Sequence, residues 1–256
     1  MKKLIVIPAR MSSQRLPGKP LKDIEGKTLI ERVYRQAQQT RGIDTVVIAS
    51  DSPEILTASE QFGAKAVATS SSCLTGSDRV AEVARMFEAQ GATFDYIANV
   101  QGDMPFIKPS IIEKAFAILE HSDASIGMAT IVTPIHGEEE FRKDSVVKAV
   151  LGEEGRALYF SRAPIPYPRN MPQSHEPFGY KHIGLYVFRP QTLFRMQAMK
   201  EALAERREGL EQLRLLAHGI QIKAAVIERD ELEPQVEVDT PDDLARAQEI
   251  ARTIDS

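Results

Sequence analysis

Short apolar runs alternate with helical patterns through the first half of this chain, and that alternation constrains the fold more than any other feature. Leu4–Ile7, Thr45–Ala49, Lys65–Ala68 and Tyr96–Val100 read as short strands. Between them, Leu29 to Ala37 puts Ile30, Val33, Tyr34 and Ala37 on one helical face, and Asp78 to Ala89 does the same for Val80, Val83, Ala84 and Phe87. Asp51-Ser52-Pro53 reads as a helix start with proline just inside, and Pro109 opens a further helix. Strands that follow helices in this rhythm are expected to form an α/β fold: a mostly parallel, Rossmann-like sheet with helices on both faces. At 256 residues the length fits one large domain of this class or two small ones, and a single domain spanning 1–256 is expected.

Ligands bind such sheets at the carboxyl ends of the strands. That rule selects the loops 8–21, 51–53 and 101–106. The first runs Pro8-Ala9-Arg10-Met11-Ser12-Ser13-Gln14-Arg15-Leu16-Pro17-Gly18-Lys19-Pro20-Leu21. It carries Arg10, Arg15 and Lys19 within ten residues, against a chain whose net charge is −4. Guanidinium forks grip phosphate oxygens bidentately, and lysine adds a compact charge. Neither a Walker A loop nor a dinucleotide fingerprint is present. A solvated basic loop is the plainer reading, but the position directly after the first strand favours a phosphate site, best suited to a triphosphate.

The third loop, Asn99-Val100-Gln101-Gly102-Asp103-Met104-Pro105, leaves a carboxylate at the sheet's carboxyl edge. Gly-Asp is also ordinary turn chemistry. Magnesium takes few protein carboxylates and shares substrate phosphates, so one aspartate and a nucleotide are enough to begin such a site. Near the end, Glu237-Val238-Asp239-Thr240-Pro241-Asp242-Asp243-Leu244 caps a last helix through Thr240 or Asp239. Asp239 is in addition a candidate to complete the metal site with Asp103.

The middle of the chain changes character. Five prolines fall between Pro164 and Pro177 with no helical period, which reads as an exposed excursion, a lid or a dimer contact. Beyond it, Lys181–Arg189 is β-like, Gln191–Ala204 and Leu210–His218 read as helices, Ile222–Ile227 and Val236–Val238 as strands, and Pro241–Ile254 as a terminal helix. Residues are 43% hydrophobic and 27% charged, as in ordinary soluble domains. Cys73 stands alone, which excludes an internal disulfide and a cysteine-rich zinc site and points to a cytoplasmic setting. The apolar stretch before Pro8 is too short for a signal peptide, and no run approaches a membrane span. The five histidines lack metal-ligand spacing. His182, opening His182-Ile183-Gly184-Leu185-Tyr186, is by its position alone a structural strand residue. No nucleophilic triad is legible, and Cys73 has no basic neighbour.

Taken in order, these motifs resemble the acidic-sugar cytidylyltransferases, and within them those acting on 3-deoxy-manno-octulosonate (KDO). The resemblance is carried by Pro8-Ala9-Arg10 with Arg15-Leu16-Pro17-Gly18-Lys19-Pro20-Leu21, Gly76-Ser77-Asp78-Arg79, Asn99-Val100-Gln101-Gly102-Asp103, Ala157-Leu158-Tyr159-Phe160-Ser161-Arg162, His182-Ile183-Gly184-Leu185-Tyr186, Leu210-Glu211-Gln212-Leu213-Arg214 and Val238-Asp239-Thr240-Pro241. It implies a nucleotidyltransferase that joins CTP and an eight-carbon acidic sugar into CMP-KDO and pyrophosphate for lipopolysaccharide. It implies that Arg10, Arg15 and Lys19 hold the triphosphate, and that Ser77, Arg79 and Gln101 serve the base and ribose. Asp103 and Asp239 would bind Mg2+, with Arg10, Lys19, Asp103 and Asp239 as the catalytic set. Arg162, His182, Tyr186, Glu211 and Gln212 would line the sugar pocket, Arg162 suiting the carboxylate. A homodimer is implied too, with a β-rich region near 155–190 serving the interface and the sugar pocket. Alternatives are a cytidylyltransferase for 8-amino-KDO or a nonulosonate, and a non-catalytic nucleotide-binding protein. The chain departs from the family in placing Met104 where Gly-Asp-Glu-Pro is usual, Glu237 in place of a glycine, and Ser77 in place of threonine.

Overall fold

The computed structural model describes residues 1–13, 15–173 and 175–255; Gln14 of the first loop and Ser174 of the proline-rich excursion lie outside the described residues, as does Ser256. The chain forms two compact units, Met1–Glu113 with Leu232–Ser256, and Lys114–Glu231.

The first unit begins with β1 (Lys3–Ala9). A tight hairpin, β2 (Asp23–Ile24) and β3 (Lys27–Thr28), leads into α1 (Leu29–Gln38). The chain continues through β4 (Thr45–Ser50), α2 (Pro53–Gln61), β5 (Ala66–Ala68), α3 (Gly76–Ala89) and β6 (Tyr96–Val100), and α4 (Pro109–Glu120) begins in the first unit and ends in the second. Strands β6, β1, β4 and β5 lie side by side, all parallel, in register Leu4↔Thr45 and Leu4↔Ile97. Leu4, Ile5, Val6 and Ile7 are wholly buried, as strands covered on both faces require. Helices α1, α2 and α3 pack on this sheet. Each starts on a side-chain cap. Thr28 and Ser52 accept from the Glu31 and Ile55 amides, and Thr75 forms a reciprocal box with Asp78.

The second unit contains β7 (Ile126–Ile135), α5 (Glu138–Arg142), β8 (Lys148–Leu151), β9 (Ala157–Ser161), β10 (Gly179–Phe188), α6 (Pro190–Ala198), α7 (Leu203–Glu208), α8 (Gln212–Ala217) and β11 (Gln221–Val226). Here β7 pairs in parallel with β11 and antiparallel with β10, and β8 joins β10 to β9 in antiparallel pairing. A single turn, α9 (Arg229–Leu232), precedes α10 (Pro241–Ile254), which belongs to the first unit.

The α/β class with a mostly parallel sheet holds. Two local expectations do not. Val236–Val238 forms no strand; both valines instead bury their side chains with Leu16, Phe106, Ala247 and Ala251. The helix expected over Gln191–Ala204 stops at Ala198 and restarts at Leu203. The break is fixed by Arg214, whose Nη1 donates to the Met196 carbonyl at 3.2 Å, and by Glu205, which accepts from the Ala202 amide at 3.2 Å. Strands β7, β8 and β9 add to the elements anticipated from the sequence.

Candidate active site

At the carboxyl edge of the first unit's sheet, β1 and β6 open into two loops that meet. Gly102 permits the meeting, since a Cβ there would lie 3.0 Å from the Pro8 carbonyl oxygen. Gly18 takes a left-handed φ of 67° and turns the first loop into the short 3-10 helix Lys19–Leu21, which fixes the root of Lys19. Leu16 anchors the same loop in the apolar cluster with Val236 and Val238. The Val238 amide donates to the Asp103 carbonyl at 2.9 Å, tying the Asp239 segment to the Asp103 loop. Thr240 and Asp243 then cap α10 reciprocally, and the Asp239 amide donates to the Asp243 carboxylate at 3.1 Å. The cap is thus Thr240, which leaves the Asp239 side chain free for other work.

That side chain meets Lys19. The ammonium donates to Asp103 Oδ2 at 3.0 Å and to Asp239 Oδ1 at 2.9 Å, and Arg15 reaches Asp239 Oδ2 at 2.9 Å. Burial works against the Lys19 charge, but the two carboxylates, Asp103 foremost, outweigh it and hold its pKa above the ordinary value. Burial likewise works against ionised Asp239, and Lys19 and Arg15 reverse the effect, keeping its pKa below the usual carboxylate value. Arg10 is exposed at the end of β1, with no ion-pair partner among the described residues. A cavity of about 820 Å³ opens here, lined by Arg10, Ser12, Ser13, Arg15, Lys19, Gln101, Asp103 and Asp239. Two carboxylates that already share one cation are suited to a divalent ion, although no cluster of three ligating side chains occurs among the described residues. Any further ligands to such an ion would come from water and a phosphate, the donors that magnesium favours.

Ser77 and Arg79 stand apart from this lining. Ser77 is buried at the start of α3 and accepts from Asn99 Nδ2 at 3.3 Å. Arg79 is buried too, with its guanidinium spent on Thr69 Oγ1 and on Asp51, 3.2 Å away. Its hydrogen bonds bind the ends of β4 and β5 to α3. Asp51 enters the site's framework in this way; the sequence marks it only as part of a helix start. Met104 is almost wholly buried, and its sulfur accepts from Gln235 Nε2 at 3.8 Å. The departure from Gly-Asp-Glu-Pro therefore sits in the packing of the first unit and not in the cavity wall.

The remaining candidates lie in the second unit. Four residues of regular strand would carry His182 and Tyr186 about 13 Å apart. The register of β10 on β7 slips between Ile183 and Tyr186, and the bulge draws the two rings into a stack 5.5 Å apart. Thr130 Oγ1 lies 2.8 Å from the Leu185 carbonyl and spends its proton there, so it accepts from His182 Nε2, 3.0 Å away. Burial drives the His182 pKa down to about 3, so the imidazole is neutral with Nδ1 as acceptor. The Tyr186 hydroxyl donates to Gln212 Oε1 at 3.2 Å, and Gln212 Nε2 is buried with no hydrogen-bond acceptor among the described residues. Glu211 precedes it at the start of α8. Arg162 is exposed at the end of β9, its Nε and Nη1 donating to the carbonyls of Glu208 and Asp144 at 2.9 and 3.1 Å. No carboxylate takes its charge among the described residues. The sequence singled out these five but missed Glu208 and Lys148, which hold Arg162 from behind.

Residues 4–222 match the family model described as Cytidylyltransferase. A 3-deoxy-manno-octulosonate cytidylyltransferase from Syntrophotalea carbinolica is 43% identical over 95% of this chain and 96% of its own length. One from Chloroherpeton thalassium is 42% identical, covering 98% of each. The solved structure of CMP:2-keto-3-deoxy-manno-octonic acid synthetase complexed with CTP matches with a TM-score of 0.89 and 37% identity over 99% of this chain and 100% of that one. A cytidylyltransferase from Leptospira borgpetersenii, 16% identical with a TM-score of 0.62 over 100% of this chain and 95% of that one, shares the fold. With a loop of three cations set beside two aspartates and relatives of this identity along nearly its whole length, the chain belongs to the cytidylyltransferase family, among the 3-deoxy-manno-octulosonate cytidylyltransferases.

Proposed function

We propose that this protein transfers CMP from CTP to KDO, giving CMP-KDO and pyrophosphate, as a Mg2+-dependent, cytoplasmic homodimer in lipopolysaccharide biosynthesis. The observation that carries the reading is the Lys19 ammonium shared between Asp103 and Asp239, with Arg10 and Arg15 beside it in one cavity. The names of the close relatives supply the base and the sugar. No helix among the described residues is long and apolar enough to cross a membrane. For the dimer, exposed Leu158, Tyr167 and Met171 give the 155–190 region apolar surface to bury.

The sugar's anomeric hydroxyl attacks the α-phosphorus of CTP in line, and pyrophosphate leaves. Such a transfer rests on positioning and charge neutralisation and needs no covalent nucleophile. Arg10 and Arg15 hold phosphate oxygens in forks, and Lys19 turns from its carboxylates to the triphosphate. Gln101 lines the same cavity and serves the nucleotide, with Ser77 and Arg79 shaping the base side from within α3. Asp103 and Asp239 would hold Mg2+, which when bound neutralises phosphate charge. In the second unit Arg162 takes the sugar carboxylate, His182 and Tyr186 present a neutral aromatic wall, and Gln212 Nε2 donates to a sugar oxygen beside Glu211.

Pyrophosphate release with CTP, Mg2+ and a panel of acids tests the reading. KDO should turn over at least tenfold faster than 8-amino-KDO or a nonulosonate. No turnover with KDO while another acid reacts would overturn the sugar assignment. Asp103→Asn should lower turnover by several orders of magnitude with CTP binding much less affected, and near-normal turnover would remove Asp103 from its role.

A further inference from the structure

Arg162 is gripped along its main chain from two sides. On one side stands Glu208, whose Oε2 accepts from the Arg162 amide at 2.9 Å and whose Oε1 accepts from Ser161 Oγ at 2.7 Å. The Glu208 carbonyl receives Arg162 Nε. On the other side stands Lys148, a wholly buried side chain on β8. Its ammonium donates to three backbone carbonyls, those of Lys143 (2.7 Å), Val146 (2.5 Å) and Arg162 (2.5 Å). No carboxylate comes within ion-pair distance of it among the described residues. A buried lysine without a carboxylate partner is costly, and burial lowers its pKa accordingly.

The three carbonyls explain its place. The turn 143–146 that Lys148 holds is the turn whose Asp144 carbonyl receives Arg162 Nη1. Lys148 thus fixes the Arg162 backbone and one of the two acceptors that aim its guanidinium, and Glu208 fixes the backbone and supplies the other. Both acceptors are neutral carbonyls. The Glu208 carboxylate is occupied by an amide and a hydroxyl, so the guanidinium is oriented without being neutralised. An oriented cation without a counter-ion is an anion receptor.

We propose that Lys148 and Glu208 are positioning residues that aim Arg162 at the carboxylate of the acidic sugar. The inference rests on the reading, given above, that Arg162 faces that sugar. Steady-state kinetics with KDO and CTP varied separately test it, using Lys148→Met, Glu208→Ala, Arg162→Ala and the two double variants with Arg162→Ala. Each positioning variant should raise the KM for KDO about tenfold and leave the KM for CTP within about twofold, a split that general loosening of the fold would not give. Because both act through Arg162, each double variant should be no worse than Arg162→Ala alone. Parallel rises in both KM values, or penalties that add to that of Arg162→Ala, would overturn the proposal. If Lys148→Met does not fold, Glu208→Ala carries the same comparison, since Glu208 is part-exposed. If Arg162→Ala itself leaves the KM for KDO unchanged, the sugar role of Arg162 is what fails.

Discussion

Lys19→Met should make metal binding and turnover move in opposite directions. In the free protein the Lys19 ammonium lies 3.0 Å from Asp103 and 2.9 Å from Asp239, occupying the space between the carboxylates that a divalent ion would use. A charge-assisted hydrogen bond contributes about 1.5–3 kcal/mol, and side-chain exposures of 26% for Asp103 and 36% for Asp239 place these two toward the lower value. Removing the ammonium therefore removes roughly 1.5 kcal/mol or more of competition with a cation. Each 1.4 kcal/mol is tenfold in a binding constant, so Mn2+ should bind the nucleotide-free variant about tenfold more tightly. With CTP present, the role proposed for Lys19 at the triphosphate makes the lost ammonium a lost phosphate ligand in the transition state, which should cost about 10²–10³ in turnover. Mn2+ titration by calorimetry without nucleotide, and pyrophosphate release with CTP, read the two effects separately. Unchanged Mn2+ affinity with turnover within threefold of the parent would refute the reasoning.

Three further outcomes are expected. Gly102→Ala puts a Cβ 3.0 Å from the Pro8 oxygen and 3.3 Å from Ile30, so the two site loops must part by a few tenths of an ångström, and turnover should fall about tenfold, measured by pyrophosphate release. His182 stays neutral, with its pKa near 3, so its ring resonances should not titrate between pH 5 and 8; because the unfolded chain binds this proton below about pH 6.5 and the folded chain refuses it, stability should fall by about 1.4 kcal/mol per pH unit from this group as pH drops toward 3. A midpoint near 6.5 in the folded protein would contradict the burial argument. Arg214→Met strands Glu205, which is 7% exposed, and should cost about 3–5 kcal/mol in denaturant unfolding, most of it recovered when Glu205→Leu is added; a loss below 1 kcal/mol in the single variant would show the pair to be dispensable.

Local chemistry is what the sequence makes legible. Apolar runs marked β1, β4 and β6, Pro53 and Pro241 marked helix starts, and the cations of the first loop follow β1 in any parallel sheet. Thr240 was legible as a cap because the box needs only Asp243, three residues on. Val236 and Val238 alternate like a strand, yet their neighbours are α10 and Leu16, and burial against a helix satisfies the same pattern without a ladder. The helix over Gln191–Ala204 failed because an arginine 18 residues past Met196 takes its carbonyl. Lys148 was illegible for a related reason. In sequence it is one lysine among many, and only the turn of 143–146 and the end of β9 make it a three-way donor. The meeting of Lys19 with Asp239 bridges 220 residues, beyond any periodicity.

That bridge has a consequence for how the protein is born. The first unit is interrupted, its strands coming from Met1–Glu113 and its last helix from Leu232–Ser256. A ribosome delivers Lys19 first and Asp239 only after the whole of Lys114–Glu231 has emerged, at roughly 5–20 residues per second. Until then Lys19 has at most Asp103 to hold, and Leu16 and Phe106 lack the valines and the helix that cover them. A nascent or prematurely ended chain thus displays its first loop without the Asp239 carboxylate. Because Lys19 pairs with Asp239 across 220 residues, a product cut short before residue 239 would keep the first loop and lose the carboxylate that holds its lysine.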